Sequence, residues 1–191
     1  MTTIVMAGCG ALGSQIAMHL SHPDLYFVLI DDDTVEEHNL LTTHFLYDHV
    51  GLYKVYALGD MLYRNGLAAS IAHNEQLTSR NVNKLFFGAD LIVDTFDNGP
   101  ARSLCAMAAN NTPVIHAGVS QALTGAVQWQ SNGYVPPGNE FARGQNMVCT
   151  RELGRDILRM TATVTANAIS NWLSTSVEND YLVLPLGVFQ I

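Results

Sequence analysis

A doubly wound α/β sheet, mostly parallel and with helices on both faces, is the fold that three features of this 191-residue chain predict. Apolar runs of strand length alternate with segments of helical period along most of the sequence, the pattern of repeated βαβ units. Two of those runs, Ile4-Val5-Met6-Ala7 and Leu91-Ile92-Val93, carry no polar alternation, as befits strands buried on both faces of a parallel sheet. Polar chemistry falls where the strands end: Gly8, Asp31, Asp94 and Asp97 share the carboxyl edge, where open α/β sheets bind ligands.

The first strand breaks directly into Gly8-x-Gly10-x-x-Gly13, after which Leu12, Ile16 and Leu20 take up a helical period. Glycine allows the sharp turn and the close approach of a phosphate, and the N–H groups and dipole of the new helix attract the anion. A second strand, Tyr26 to Ile30, ends at Asp31, an acid placed to accept hydrogen bonds from ribose hydroxyls. Strand, glycine turn, helix and acidic strand end together make a nucleotide-binding, Rossmann-like fingerprint. A polar segment, residues 32–49, follows, and Val50 to Lys54 opens a helix predicted to reach about Asn65. A third strand is expected over Ala68 to Ala72 and a short polar helix or turn over Ser79 to Val82.

The strand ending at Asp94 delivers Thr95-Phe96-Asp97-Asn98 to the carboxyl edge. Pro100 then stands in the first turn of a helix predicted over Pro100 to Asn110, where its missing N–H costs nothing. Strands follow at Val114 to Ala117 and Leu123 to Trp129; residues 130–146, rich in glycine and proline and without periodicity, read as a mobile loop. Ile157, Leu158, Met160, Val164, Ala168, Ile169, Trp172 and Leu173 mark a long helix over Arg155 to Ser174, and Tyr181 to Leu184 a last strand. The Ile157 to Leu173 stripe reads as core or dimer face, and its excess over what one sheet face needs predicts a homodimer or a surface calling for a partner. With no repeat and no linker, residues 1–191 are expected to form a single domain.

Composition narrows the partners. Nine Lys+Arg against 17 Asp+Glu, with no basic run, disfavour nucleic acid and anionic membrane, so any phosphate has to be held locally. No apolar stretch approaches the roughly 20 residues of a membrane span, and Met1-Thr2-Thr3 leads straight into a strand; a cytoplasmic chain is expected. Cys9, Cys105 and Cys149 are odd in number and far apart, which predicts free thiols.

The series GCGALGS, IDDDTVEEHNLL, VGLYK, DLIVDTFDNGPAR, TPVIHAGVSQALTGAV and CTRELG, running in order from about Ile4 to Leu173, resembles the ThiF/MoeB/HesA family, bacterial relatives of the ubiquitin-activating enzymes. That resemblance implies ATP- and magnesium-dependent adenylation of the C-terminus of a ubiquitin-like or sulfur-carrier protein or peptide, by a chain that works as a homodimer or heterodimer. It also implies roles for single residues: Gly8, Gly10 and Gly13 around the ATP phosphates, Asp31 on ribose, Asn39 and Lys54 on phosphates, and Asp97 on magnesium. Cys149, just ahead of the long helix, matches a cysteine that takes part in thioester or sulfur chemistry in some relatives; a lone cysteine beside apolar residues is more often inert. Arg102 matches a family arginine and reads as structural as readily as functional. His38, His44, His49 and His116 lack chelating spacing and read as structural.

Two departures stand out. Thr42 and Thr43 occupy the places of the arginine and glutamine in the family's Asn-Leu-x-Arg-Gln, and the chain begins on a strand where relatives carry a helical segment that lends an arginine to the partner subunit. Three functional classes are therefore weighed: an adenylating enzyme, a non-catalytic nucleotide-binding partner of such an enzyme, and an NAD-dependent oxidoreductase. The last has no use for Asp33, Asn39, Lys54 and Asp97 at these spacings, and no Tyr-x-x-x-Lys or catalytic His/acid set is present.

Overall fold

A computed structural model describes residues 1–20, 22–64, 69–108, 112–137 and 151–191. In chain order the elements are β1 (Thr2–Ala7), α1 (Ala11–Leu20), β2 (Leu25–Ile30), α2 (Lys54–Arg64), β3 (Ala69–His73), α3 (Val82–Leu85) and β4 (Leu91–Asp94). After these come α4 (Gly99–Ala108), β5 (Val114–Val119), β6 (Gly125–Trp129), α5 (Glu152–Thr175), β7 (Tyr181–Leu184) and β8 (Gly187–Gln190). Short 3-10 turns occupy Glu37–Leu41, Tyr47–His49 and Gln130–Asn132.

One sheet holds all eight strands in the order β3-β2-β1-β4-β5-β6-β7-β8, parallel as far as β5 and antiparallel beyond it. The chain leaves β1 toward β2 and β3 on one side and returns to β4 on the other, so the order reverses between β1 and β4. Ligands of such sheets sit in the crevice at this reversal. Register sharpens the point: Ala7 pairs with Ile30 on one flank and with Asp94 on the other, so the segments starting at Gly8, Asp31 and Thr95 leave the sheet side by side.

Successive strand residues face opposite ways, and the two cores follow that alternation. Ile4, Met6, Phe27, Leu29, Leu91, Val93 and Ile115 join the face covered by α1, α2 and α5. Val5, Ala7, Val28, Ile30, Ile92 and Val114 face Leu85, Phe86 and Cys105 on the α3 and α4 side. This two-sided burial is what the unbroken apolar runs of β1 and β4 encode.

α5 lies against α1, β5, β6 and β7, and Trp172 on it meets the fully buried Trp129 of β6 with ring centroids 5.6 Å apart. Most of its apolar stripe packs inside the chain, while Leu153 and Leu173 stay exposed beside polar outward positions such as Asp156, Arg159, Thr163, Asn167, Ser170, Asn171 and Ser174. That leaves only a few apolar side chains of this helix at the surface. Exposed large apolar side chains gather instead between Leu41 and Tyr63, among them Leu46, Tyr47, Leu52 and Tyr56.

Boundaries shift in places. Leu123, expected in a strand, takes a positive φ of 59° in the turn where Ser120 N–H donates to Thr124 O, and β6 begins at Gly125. β8 was not anticipated; it closes a hairpin on β7 through Pro185 and Leu186. The expected helix ends at Asn65 and Asn110, the strand start at Ala68, most of the 130–146 loop and Cys149 lie outside the described residues. No helix among the described residues is long and apolar enough to cross a membrane.

Candidate functional site

The glycine turn is assembled by contacts with both neighbouring strand ends. Gly8 N–H donates to Ile30 O at 2.9 Å, and the Thr95 hydroxyl donates to Gly8 O at 2.9 Å. Gly8 has φ +98°, a backbone region that side-chain-bearing residues rarely enter. A Cβ on Gly13 would stand 1.9 Å from Gly8 O, so the helix can approach the turn only because Gly13 has no side chain. Gly10 differs: a Cβ there would meet nothing within 4 Å, and its φ is ordinary. Two of the three glycines thus close the fold, and the third leaves open space beside the first turn of α1, whose N–H groups have no partner within the helix. That opening suits a polyphosphate.

Asp31, 7% exposed, holds the turn from the other side. Its Oδ2 accepts Cys9 N–H at 2.7 Å and its Oδ1 accepts Asp33 N–H at 2.9 Å. Burial, the largest influence, raises the carboxyl above its ordinary range against the lowering effect of Lys54 and the two N–H donors. Lys54, the first residue of α2, places Nζ 2.9 Å from Asp33 Oδ2, while its backbone N–H donates to Asp33 O at 2.9 Å. A Thr34–Tyr53 bridge adjoins this double grip. The sequence picked out Lys54 and Asp31 but missed that Asp33 joins them.

Burial is also the largest influence on Lys54 and pulls it down, yet the charges of Asp31 and Asp33 together outweigh it and hold the ammonium above its ordinary 10.5. A base with a raised folded pKa contributes stability that is complete below the unfolded value and is lost as pH rises through the folded one. Melting temperature should therefore fall above about pH 10.5 more steeply in the native chain than in Lys54→Met. Equal alkaline slopes in the two proteins would remove the ion pair from the account of stability.

Asn39 sits in the 3-10 turn Glu37–Leu41, its side-chain oxygen accepting Glu36 N–H at 2.9 Å and its carbonyl accepting the Thr43 hydroxyl at 2.8 Å. Thr42 is 4% exposed; its carbonyl accepts Gln15 Nε2 at 2.6 Å, which fastens this turn to α1. Thr42 is thus a packing residue, a role that its place in the sequence does not reveal.

Asp97 stands exposed on the loop between β4 and α4, and every neighbour in that loop is fixed. Thr95 bonds to Gly8, Phe96 N–H donates to Asp94 Oδ1 at 3.1 Å, and Asn98 Oδ1 caps α4 by accepting Ala101 N–H at 3.0 Å. An exposed acid beside a phosphate cradle fits magnesium, which commonly takes one or two carboxylates and completes its shell with phosphate and water. Among the described residues Asp31, Asp32 and Asp33 also offer oxygens within 4.8 Å of one another, but Asp31 and Asp33 are engaged as above. Arg102 is buried and donates to the Phe96 and Ala117 carbonyls, and His116 is buried between Asp94 and Gln130. Cys9 and Cys105 are buried, and burial drives both thiols well above their ordinary range, away from nucleophilic reactivity.

An open α/β sheet that reverses its order between a glycine turn and an acid-bearing loop belongs to the doubly wound class whose ligand site lies at that reversal. Within that class the chain belongs to the ThiF family, whose model matches residues 1–179. No curated protein matches it. Among solved structures, Escherichia coli MccB with ATP superposes with a TM-score of 0.75 at 17% identity, covering 100% of this chain and 63% of MccB. The same protein with AMPCPP and MccA gives 0.75 at 17% over the same shares, and PaaA gives 0.76 at 17%, covering 100% of this chain and 63% of PaaA. The chain thus spans less than two thirds of these relatives, and at such identity the likeness is one of fold.

Proposed function

We propose that this chain uses ATP and magnesium to adenylate the C-terminal carboxylate of a peptide or of a ubiquitin-like or sulfur-carrier protein. The observation that carries the reading is the side-by-side emergence of the glycine turn, the Asp31–Asp33–Lys54 cluster and the Asp97 loop at the sheet's reversal in a ThiF-family chain. Adenylation joins a carboxylate oxygen to the α-phosphorus of ATP and breaks its bond to pyrophosphate. Two anions have to meet, so positioning and charge neutralisation dominate catalysis. In this reading the α1 N-terminus and Gly10 would receive the phosphates, Asp31 would serve the ribose, Asn39 and Lys54 would contact phosphate oxygens, and Asp97 would hold the metal. Bound magnesium would neutralise the departing pyrophosphate.

MccB structures with ATP and with MccA support a nucleotide and a partner in the same fold. The proposal extends to pairing with a second chain, with the exposed apolar side chains between Leu41 and Tyr63 as its surface. Light scattering should then give a mass above the 20.8 kDa of one chain; a strict monomer at high concentration would end the pairing part. Cys149 is kept as a candidate for acyl or sulfur transfer after adenylation.

Mg-ATP at about 100-fold its dissociation constant should raise stability by roughly 2.7 kcal/mol, a melting shift of about 5–10 °C. NAD should give no such shift, and Asp97→Ala should lose the magnesium-dependent part with the fold intact. Equal stabilisation by NAD would replace this reading with the oxidoreductase one. Thr42 favours a second reading, a nucleotide-binding partner subunit that does not itself catalyse, since the pocket lacks the family's arginine there. ATP–pyrophosphate exchange with candidate peptides and carriers decides between them.

A further inference from the structure

A buried polar chain runs beneath the Asp97 loop and out to a segment that the nucleotide site does not use. Asp94 Oδ2 lies 2.8 Å from His116 Nδ1 and 3.8 Å from an Arg102 terminal nitrogen. Arg102, itself 9% exposed, donates to three different segments: Nε to Phe96 O at 2.6 Å, Nη2 to Ala117 O at 2.6 Å and Nη1 to the Tyr134 hydroxyl at 2.8 Å. His116 Nε2 meets Gln130 Oε1 at 3.0 Å, and Gln130 Nε2 donates to Tyr134 O at 3.0 Å. The Tyr134 ring lies flat on His116, with centroids 3.7 Å apart and planes 13° from parallel. A buried charge network of this kind adds little net stability, because desolvation offsets much of its attraction. Fully bonded, it selects one arrangement of the segments it joins.

The segment selected bears on Asp97. Phe96, its neighbour, is held at both ends, its N–H by Asp94 and its carbonyl by Arg102. We propose that Arg102 and Tyr134 are positioning residues for Asp97, the Tyr134 hydroxyl fixing the guanidinium, which fixes the Phe96 carbonyl and so the direction in which the Asp97 carboxylate is presented. The inference rests on the reading of Asp97 as the metal ligand. It gives the residues after β6 control over metal binding at the end of β4.

Tyr134→Phe tests it with least disturbance, since the ring stack on His116 is kept and only the acceptor for Arg102 is removed. Arg102→Lys is the second variant; it retains charge near Asp94 but cannot serve three segments. Amide exchange in the nucleotide-free protein should quicken at Phe96 and Asp97 in both variants while the amides of β1 and β2 stay protected. Magnesium needed for half-maximal ATP binding should rise about tenfold, the scale of one lost charge-assisted hydrogen bond. Unchanged exchange at Phe96, or a uniform rise across the sheet, overturns the coupling whatever the nucleotide does. If magnesium demand is unaltered in Tyr134→Phe but shifts in Asp97→Ala, the positioning role is overturned. If Asp97→Ala also leaves it unaltered, the metal-ligand reading falls, and the coupling is decided by the exchange result alone.

Discussion

Gly13→Ala should cost this protein about 3 kcal/mol or more, a fall of roughly 6–12 °C in melting temperature. The added methyl would lie 1.9 Å from Gly8 O, and backbone on both sides of that contact is fixed, Gly8 by Ile30 O and the Thr95 hydroxyl, Gly13 by α1. No flexible side chain is available to yield. Gly10→Ala should behave in the opposite way: its methyl enters empty space, so stability should hold or rise by about 0.5 kcal/mol, while Mg-ATP affinity drops about tenfold as the methyl occupies the phosphate's approach. Thermal melts with and without Mg-ATP separate the two. Normal ATP affinity in Gly10→Ala would move the phosphate site elsewhere, and an unaltered melt in Gly13→Ala would contradict the close packing of turn and helix.

The second large effect concerns Lys54. Its ammonium, with an 11% exposed side chain, sits 2.9 Å from Asp33 and acts on buried Asp31 as its principal neutralising charge. Under the proposed function, Lys54→Met would remove the cation assigned to the phosphates and leave two carboxylates facing an incoming polyanion. Loss of one such preorganised group costs about 10²–10³ in turnover in other enzymes, and pyrophosphate exchange should fall by at least that much. Asp31 should then move further above its ordinary range, since the lowering contribution of Lys54 is gone. Exchange reduced less than about tenfold, a difference of 1.4 kcal/mol, would show that another cation serves the phosphates.

How far the sequence reaches is visible in these residues. Runs buried on both faces announce themselves, and β1 and β4 were legible for that reason. β3 is an exposed edge strand, Ala-Ser-Ile-Ala-His, with little apolar signal, and its position was read only to within a residue. β8 escaped because the two-residue link Pro185-Leu186 lacks the glycine or asparagine that usually marks a tight hairpin. Glycine spacing and strand-end acids can be read along the chain, so the sequence could single out Gly8, Gly13, Asp31 and Lys54, which the fold brings together. Asp33 gripping Lys54, Thr95 locking the glycine turn, and Tyr134 bonding Arg102 join positions 21, 87 and 32 residues apart, and no periodicity encodes such partners. Thr42 shows the same limit: its lost charge is plain in the sequence, its burial is not.

The pairing of Trp129 with Trp172 has a practical corollary. These are the only two tryptophans in the chain, so its indole emission arises wholly from the seam between α5 and β6. Fluorescence would follow the seating of α5 as a local optical reporter, whereas circular dichroism sums over every helix. Coincident transitions from the two signals would establish that α5 and the rest of the fold unfold as one cooperative unit. An earlier loss of indole signal would make the seating of α5 a separately adjustable quantity, one that a partner could govern without touching the glycine turn.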